Sequence, residues 1–478
     1  MSLRGRRNGE PDGAAAGAVV VGGGHAGMLA VRALLGRVGK ITVVERGRYP
    51  NRPSFRAGVP QARHIHNLDA GGQRALEELL PGIVGALLAA GARRLVPSRD
   101  IVIHTESGWH HRFGFTRFEL VTCTRPLLDF VIRNRVLSEA AASATRLEVF
   151  TATEATGLVG ARGRVTGVRV RSRGAGQAED EIPADLVVDA SGRGSRTPRW
   201  LAALGFPAPA EDTVDARLAY ATRMVRFADE PADAVLMQPR PHFRRGGVMM
   251  PVEGGRWLVT LQGYAGDRAL TEEAAFLDYA ATLAHPHLHH LLKAAEPVSP
   301  VYGFLATANR YRRYARPGAL PAGLVVIGDA VATFNPMYSQ GLSAAATHAI
   351  AMRDILASTG LDAEFTASTQ RAIERASRWP WRTATTVDRQ YLAAAAAETS
   401  SGAKSGPVGR VSPWFNDRLM AHAATNEHVA EAVYGVYQHA FSPARLLSPG
   451  VVLRVLATSP ASGYPEPPVR RRVGASVI

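Results

Sequence analysis

The sequence predicts an α/β protein: a Rossmann-like dinucleotide-binding domain, a mostly antiparallel β-sheet domain inserted into it, and a helical C-terminal region. Three observations predict this. An apolar strand, Val19 to Val21, runs into Gly22-Gly23-Gly24-His25-Ala26-Gly27 and then into an alanine- and leucine-rich helical stretch. From about 198 to 300 the texture changes to runs with strand character. A later apolar strand, Leu324 to Ile327, ends in Gly328-Asp329 and precedes another helix. The expected division is a disordered tail over 1–16, a nucleotide-binding domain over 17–197 and 301–357, the inserted sheet domain over 198–300, and helices over 358–478.

The first unit fits G-x-G-x-x-G in its proper context of strand, turn, helix and second strand (Ile41 to Val44). Gly22 permits the tight turn, Gly24 lets backbone approach a pyrophosphate, and Gly27 lets the helix sit close to the strand. Free N–H groups and the positive end of the helix dipole then face the phosphates. Glu45, 18 residues past Gly27, is placed to accept hydrogen bonds from a ribose diol.

An Arg-, Pro- and Gly-rich loop follows over 46–60, then a helical stretch from Gly71 to Leu80 that Pro81-Gly82 ends. Ile101–His104 and Trp109–Phe113 read as a hairpin. Thr124-Arg125-Pro126 opens a helix over Leu127–Ala142, with proline in its first turn. Four strands are expected next, the last from Ile182 to Ala190, ending in Asp189-Ala190-Ser191-Gly192-Arg193-Gly194-Ser195-Arg196. In the inserted segment Arg217–Phe227, Ala234–Gln238, Gly247–Val252 and Arg256–Gln262 are sheet strands, followed by one helical span from Thr271 to Ala295. Ser343–Ala357 is a helix, and Thr399–Gly406 a flexible polar patch.

Composition narrows the function. Apolar content of 46% indicates a folded protein with a sizeable core. The net charge of +15 invites a nucleic-acid or membrane reading, yet only Lys40, Lys293 and Lys404 are lysines. The excess is scattered arginine with no base-reading motif, so nucleic acid is not an expected partner. No 18-residue apolar run is present, so no membrane span is expected, and the N-terminus lacks a signal-peptide core; a cytoplasmic protein is expected. The single cysteine, Cys123, excludes intrachain disulfides and multi-cysteine metal sites. His285-Pro286-His287-Leu288-His289-His290 has no neighbouring acid or cysteine, and no metal is expected.

The second segment names the dinucleotide. Gly328-Asp329 offers a carboxylate to a ribityl hydroxyl, and Asn335-Pro336 through Gly341-Leu342 aims a helix N-terminus at one point, where it would stabilise a reduced flavin. A nicotinamide dehydrogenase needs no such distant segment.

These stretches resemble the group A, single-component flavoprotein monooxygenases with a hydroxybenzoate-hydroxylase-like fold, over almost the whole chain. GGGHAG with Glu45 resembles that family's ADP-binding fingerprint in a GR2-type FAD domain. GDAVATFNPMYSQGL resembles its flavin-contacting segment, and DASGRGSR a variant of its central motif. GVPQARHIH, LEELLPG, GWHHRF, TRPLLD and FNPMYSQG are similar to the actinobacterial polyketide-tailoring branch, which includes the lasalocid- and monensin-type alkene epoxidases.

The resemblance implies FAD as cofactor, NAD(P)H as reductant and O2 as co-substrate. Arg125 resembles an arginine that approaches the flavin and its phosphates, and Gln61 to His64 a loop beside the ribityl chain. The implied cofactor contacts are Gly22, Gly24, His25, Ala26, Gly27, Glu45, Arg46, Gln61, Arg63, Arg125, Gly328, Asp329, Pro336, Gly341 and Leu342. No catalytic side chain is assigned. The chain departs from the family at Ser191-Gly192, where Asp-Gly is usual, and at Ser339, where glycine is usual. The expected reaction is epoxidation or hydroxylation of an apolar polyketide by a flavin C4a-hydroperoxide. The alternative is a redox-neutral [4+2] cyclase with structural FAD, like the dialkyldecalin synthases. A third reading is a flavoprotein dehydrogenase or reductase.

Overall fold

The computed structural model describes residues 16–161, 163–174, 178–268, 271–305, 307–316, 318–399, 413–470, 472–473 and 476–477. The tail over 1–15 and most of the patch at Thr399–Gly406 lie outside them. The chain enters on β1 (Gly17–Val21), turns into α1 (His25–Leu34) and returns on β2 (Lys40–Val44). Then come β3 (His66–Leu68), α2 (Ala70–Leu79), β4 (Ile101–Thr105), β5 (Gly108–Trp109), β6 (Leu120–Cys123), α3 (Arg125–Ala141), β7 (Arg146–Phe150) and β8 (Leu186–Asp189). The middle supplies β9 (Ala219–Arg226), β10 (Ala234–Met237), β11 (Arg245–Val252), β12 (Arg256–Gly263), α4 (Glu273–Ala281) and α5 (His287–Lys293). The last third holds β13 (Asn309–Arg312), β14 (Leu324–Val326), α6 (Gln340–Thr359), α7 (Phe365–Thr399), α8 (Pro413–Thr425), α9 (Glu427–Tyr437) and α10 (Pro449–Ala457).

One layer is a five-stranded parallel sheet in the order β14-β8-β1-β2-β7. The central strands are buried on both faces, which is why they read as unbroken apolar runs. Helix α1 packs against α3 and α6 over it. Helix α3 starts where Thr124 Oγ1 accepts a hydrogen bond from the Leu127 N–H, with Pro126 in the first turn.

The second layer is an eight-stranded sheet whose path runs from Glu296–Pro297 through β9, β12, β11, β10 and β4 to β5, with Tyr302–Phe304 also paired to β9. Its β4 and β5 come from residues 101–109, inside the stretch expected to belong to the nucleotide-binding domain. Strand β10 leaves an open edge, and β4 pairs with it in parallel, a non-local choice with no local signature. The hairpin is also shorter than expected. Trp109 exchanges backbone hydrogen bonds with Tyr464, and the His111 N–H donates to the Ala424 carbonyl, so C-terminal chain takes the place of a longer second arm.

Two expected elements are each divided. The span 182–190 yields Asp180–Pro183 and β8 in different sheets, with Pro183 ending the first. The span 271–295 yields α4 and α5, because Pro286 starts a new helix as its N-cap.

Candidate cofactor and substrate site

The glycine loop joins β1 to α1, and its glycines differ in what demands them. Gly22 has φ +96°, and a Cβ there would lie 2.7 Å from the Ala190 carbonyl oxygen. At Gly27 a Cβ would lie 1.8 Å from the Gly22 oxygen, so this glycine lets the helix meet the turn. A Cβ at Gly24 would meet nothing nearer than Arg56 Nη2 at 3.8 Å. The fold itself therefore tolerates a side chain at Gly24, and what glycine keeps there is open backbone at the helix N-terminus. That N-terminus has no side-chain cap and no acid in its first turn.

Glu45 is buried at the end of β2 and braces the loop: one carboxylate oxygen accepts from the Gly23 N–H at 2.8 Å, the other from the Gly47 N–H at 2.7 Å. Tyr49 donates its hydroxyl to the Gly23 carbonyl at 3.0 Å, and its ring lies under the guanidinium groups of Arg56 and Arg133. Tyr49, Arg56, Asp129 and Arg133 line a narrow cleft beside Gly23, Gly24 and His25. The sequence reading missed these four. Tyr49 and Arg56 lie in a loop without periodicity, and Asp129 and Arg133 look like ordinary positions of an amphipathic helix.

The distant Gly-Asp segment meets this loop. Gly328, at φ +59°, approaches so closely that a Cβ would lie 2.8 Å from the Ala26 side chain. His25 Nε2 lies 3.3 Å from the Leu342 carbonyl oxygen in the first turn of α6. Asp329 sits beside Gly341, whose missing Cβ would be 3.6 Å from its carboxylate. Burial pushes the Asp329 carboxyl up, while Arg125, Arg193 and Arg310 pull the other way. Arg125 is held by Asp129 at 2.7 Å. Burial alone would raise Asp129, but Arg125, His25 and Arg56 together keep it below the usual carboxylate range.

The two departures take simple structural forms. Asp189, fully buried at the end of β8, accepts from the Ser191 N–H and from the hydroxyls of Ser191, Ser195 and Thr197. Ser191 thus closes the turn that abuts Gly22. Ser339 takes φ +53° and ψ +21°, the left-handed conformation that glycine adopts without strain. The serine keeps that backbone path and carries the strain. Pro336 opens the helical turn before it, where Asn335 Oδ1 accepts from the Met337 N–H.

Gly22, Gly24, His25, Ala26, Gly27, Arg125, Gly328, Asp329, Gly341 and Leu342 are thereby drawn into one region. Arg46 and Arg63 have protein partners of their own: Arg46 donates to the Gly58 carbonyl at 3.1 Å, and Arg63 lies over the rings of Tyr302 and Phe55. Gln61 is half-buried on the same turn as Arg63.

The region fits a dinucleotide with a polar ring system. The N-termini of α1 and α6 lack side-chain caps and first-turn acids. Two buried polar atoms beside them, His25 Nδ1 and Gln340 Oε1, have no hydrogen-bond partner. Burial, helped by Arg125, lowers His25 to about 4, so its imidazole is neutral at pH 7.

Opposite lies one face of the eight-stranded sheet. Across it Thr222, Thr260, Val248, Leu236 and Ile103 stand in register on adjacent strands. The reverse face packs on helices, since a Cβ at Gly247 would strike Leu288 and Leu283. Val248 and Leu236 are partly exposed although their strands are central, which marks an open wall. At its polar end His64 Nδ1 is 2.8 Å from Thr222 Oγ1, which is 2.7 Å from Thr260 Oγ1. Burial, with Arg63 nearby, lowers His64 to about 4.

Among the described residues no group of three or more His, Cys, Asp or Glu is arranged to hold a metal ion, and no helix is long and apolar enough to cross a membrane. His285 instead packs edge-on against Trp109 and pairs with Glu466. Cys123 is buried, and burial pushes its thiol up.

A family model described as an FAD binding domain matches residues 16–361. The chain is 36% identical over 334 residues to Protein Rv3254 of Mycobacterium tuberculosis, covering 68% of this chain and 70% of that one. It is 30% identical over 367 residues to the 6-methylpretetramide 4-monooxygenase of Streptomyces rimosus, covering 72% and 76%. Among solved structures it is similar to PqsL, a probable FAD-dependent monooxygenase from Pseudomonas aeruginosa, with TM-score 0.58 and 15% identity over 80% of this chain and 96% of that one. That last likeness is one of fold.

Proposed function

The chain belongs to the FAD binding domain family and has the fold of the flavin monooxygenases, and from that premise we propose that it inserts one oxygen atom of O2 into an apolar substrate of polyketide type. Epoxidation of an alkene is the reaction we favour, with NAD(P)H as reductant. The name of the Streptomyces relative, a monooxygenase of 6-methylpretetramide, supports oxygen insertion in this lineage.

FAD, when bound, supplies the electron transfer and the oxygen activation. The chain's own residues bind and orient. Open backbone at Gly24 and the uncapped start of α1 suit a diphosphate, and Asp329 suits a ribityl hydroxyl. The uncapped start of α6 would offer partial positive charge to the negative charge that a reduced flavin gathers. The wall formed by Val248 and Leu236 holds apolar carbon and excludes water.

The observation that carries epoxidation is the chemistry of that wall. Along the row from Thr222 to Ile103 no side chain can act as a general base, and His64 behind it is a poor one, its basicity lowered to about 4 by burial and its Nδ1 held on Thr222 Oγ1. An alkene is already nucleophilic and needs no proton removed, whereas a phenol gains from a base. The redox-neutral alternative draws on Ser191 and Ser339, and both serines preserve the backbone path around the site.

The test is turnover of candidate polyenes with NAD(P)H and isotope-labelled O2. Product carrying one labelled oxygen, and none when either co-substrate is omitted, is expected. A product isomeric with its substrate, formed without O2 or reductant, would replace the proposal with cyclisation.

A further inference from the structure

Helix α7 begins after the family match ends at residue 361. Its Asp388 is 1% exposed, and three side chains donate to its carboxylate. Asn309 Nδ2 lies 2.6 Å from Oδ2, Asn335 Nδ2 2.9 and 3.0 Å from the two oxygens, and the Tyr338 hydroxyl 2.9 Å from Oδ1. An ionised carboxylate can only accept, so both asparagines must turn their NH2 groups toward it. That orientation decides what their carbonyl oxygens do. Asn309 Oδ1 accepts from the Asn335 N–H at 2.7 Å, and Asn335 Oδ1 accepts from the Met337 N–H at 3.0 Å.

Asp388 is therefore linked, through one intervening asparagine side chain, to the backbone of the turn that ends in strained Ser339 and starts α6. Three residues along α7, Tyr391 stacks on Tyr264 at 3.8 Å and 3°, just past the end of β12. The Tyr264 hydroxyl in turn lies 3.4 Å from Asn335 Nδ2. The same helix face thus ties the turn to the sheet opposite it.

We propose that Asp388 is a positioning residue of the flavin site: its acceptor-only carboxylate sets the amide sense of Asn309 and Asn335 and so holds the Asn335–Ser339 turn. The part of this that concerns flavin rests on the function proposed above; the part that concerns the turn does not.

The experiment is amide hydrogen exchange of the segment 333–343 in wild type, Asp388→Asn and Asp388→Asn/Asn335→Asp, with and without FAD. The single variant presents an NH2 to donors. Its turn should exchange about tenfold faster, the scale of losing one hydrogen bond to a charged acceptor, while amides of 365–380 are unchanged. The double variant restores one carboxylate facing one amide and should return exchange toward wild type, which also decides the matter if the single variant folds poorly. In the FAD-loaded single variant the bound flavin's visible band and midpoint potential should shift. Unchanged exchange at the turn, or a double variant no better than the single, overturns the proposal. An unshifted flavin beside a loosened turn removes its flavin part. If wild type retains no FAD, the cofactor reading fails, while exchange in the flavin-free chain still decides the role of Asp388.

Discussion

At the scale of single residues, the glycines of the first loop separate fold from binding. Gly27→Ala would drive a Cβ into the Gly22 carbonyl, so the helix must shift from the strand. We expect it to lower unfolding free energy by about 2–4 kcal/mol and to abolish FAD retention. Gly24→Ala meets no atom closer than 3.8 Å and sits at an ordinary negative φ. It should leave the flavin-free chain within about 1 kcal/mol of wild type yet weaken FAD binding, because the methyl occupies the approach to the helix N-terminus. Denaturant unfolding of the flavin-free variants and fluorescence titration with FAD check the pair. Equal loss of stability in both would remove the distinction.

The wall opposite makes its own prediction at the scale of elements. Strands β10 and β11 lie inside a mostly antiparallel sheet, which can leave one face uncovered, and their residues on the reverse face are buried under helices. Val248 and Leu236 are not, so the layer above them is open. Val248→Phe should keep the fold and the FAD content and raise KM for the substrate by about tenfold or more, since lost contact with a few methylene groups is worth that much. Steady-state kinetics with a flavin absorbance ratio checks it. A large fall in melting temperature would mean that Val248 is ordinary core. The split of the 271–295 span belongs to the same scale: the apolar spacing was legible, and Pro286 placed a second helix start within it.

Across the whole molecule several histidines are buried and neutral, among them His348, held between α6 and α7 by the Gly328 N–H and the Ser377 hydroxyl. Burial lowers His25, His64 and His348 to about 4 and His66 to about 3, from an ordinary value of 6.5. The sign follows from proton uptake. The unfolded chain binds protons on these rings below pH 6.5, the folded chain only near pH 4 or lower. Their contribution to stability is therefore complete above pH 6.5 and is lost as pH falls toward 4, on the order of 1–3 kcal/mol for each ring. Thermal melts between pH 7 and 4 should show a steep fall, with FAD released over the same range. A flat profile would contradict it.

What the sequence determined by itself was local. The strand-glycine-helix unit, the acid at Glu45, the Gly-Asp pair and most strands and helices were legible, because turn sterics, capping and hydrophobic period act over a few residues. The FAD fold followed from three such segments taken together. Tertiary structure decided what depends on partners far away in the chain. It turned Glu45 onto the Gly23 and Gly47 N–H groups, set Arg46 on the Gly58 carbonyl and laid Arg63 over the Tyr302 ring. It moved residues 101–109 into the second sheet, set Tyr49 and Arg56 at the cleft, and buried Asp388 behind Asn335. A pairing across tens to hundreds of residues leaves no periodic mark, and an aspartate on a long helix looks the same whether it faces water or two asparagines.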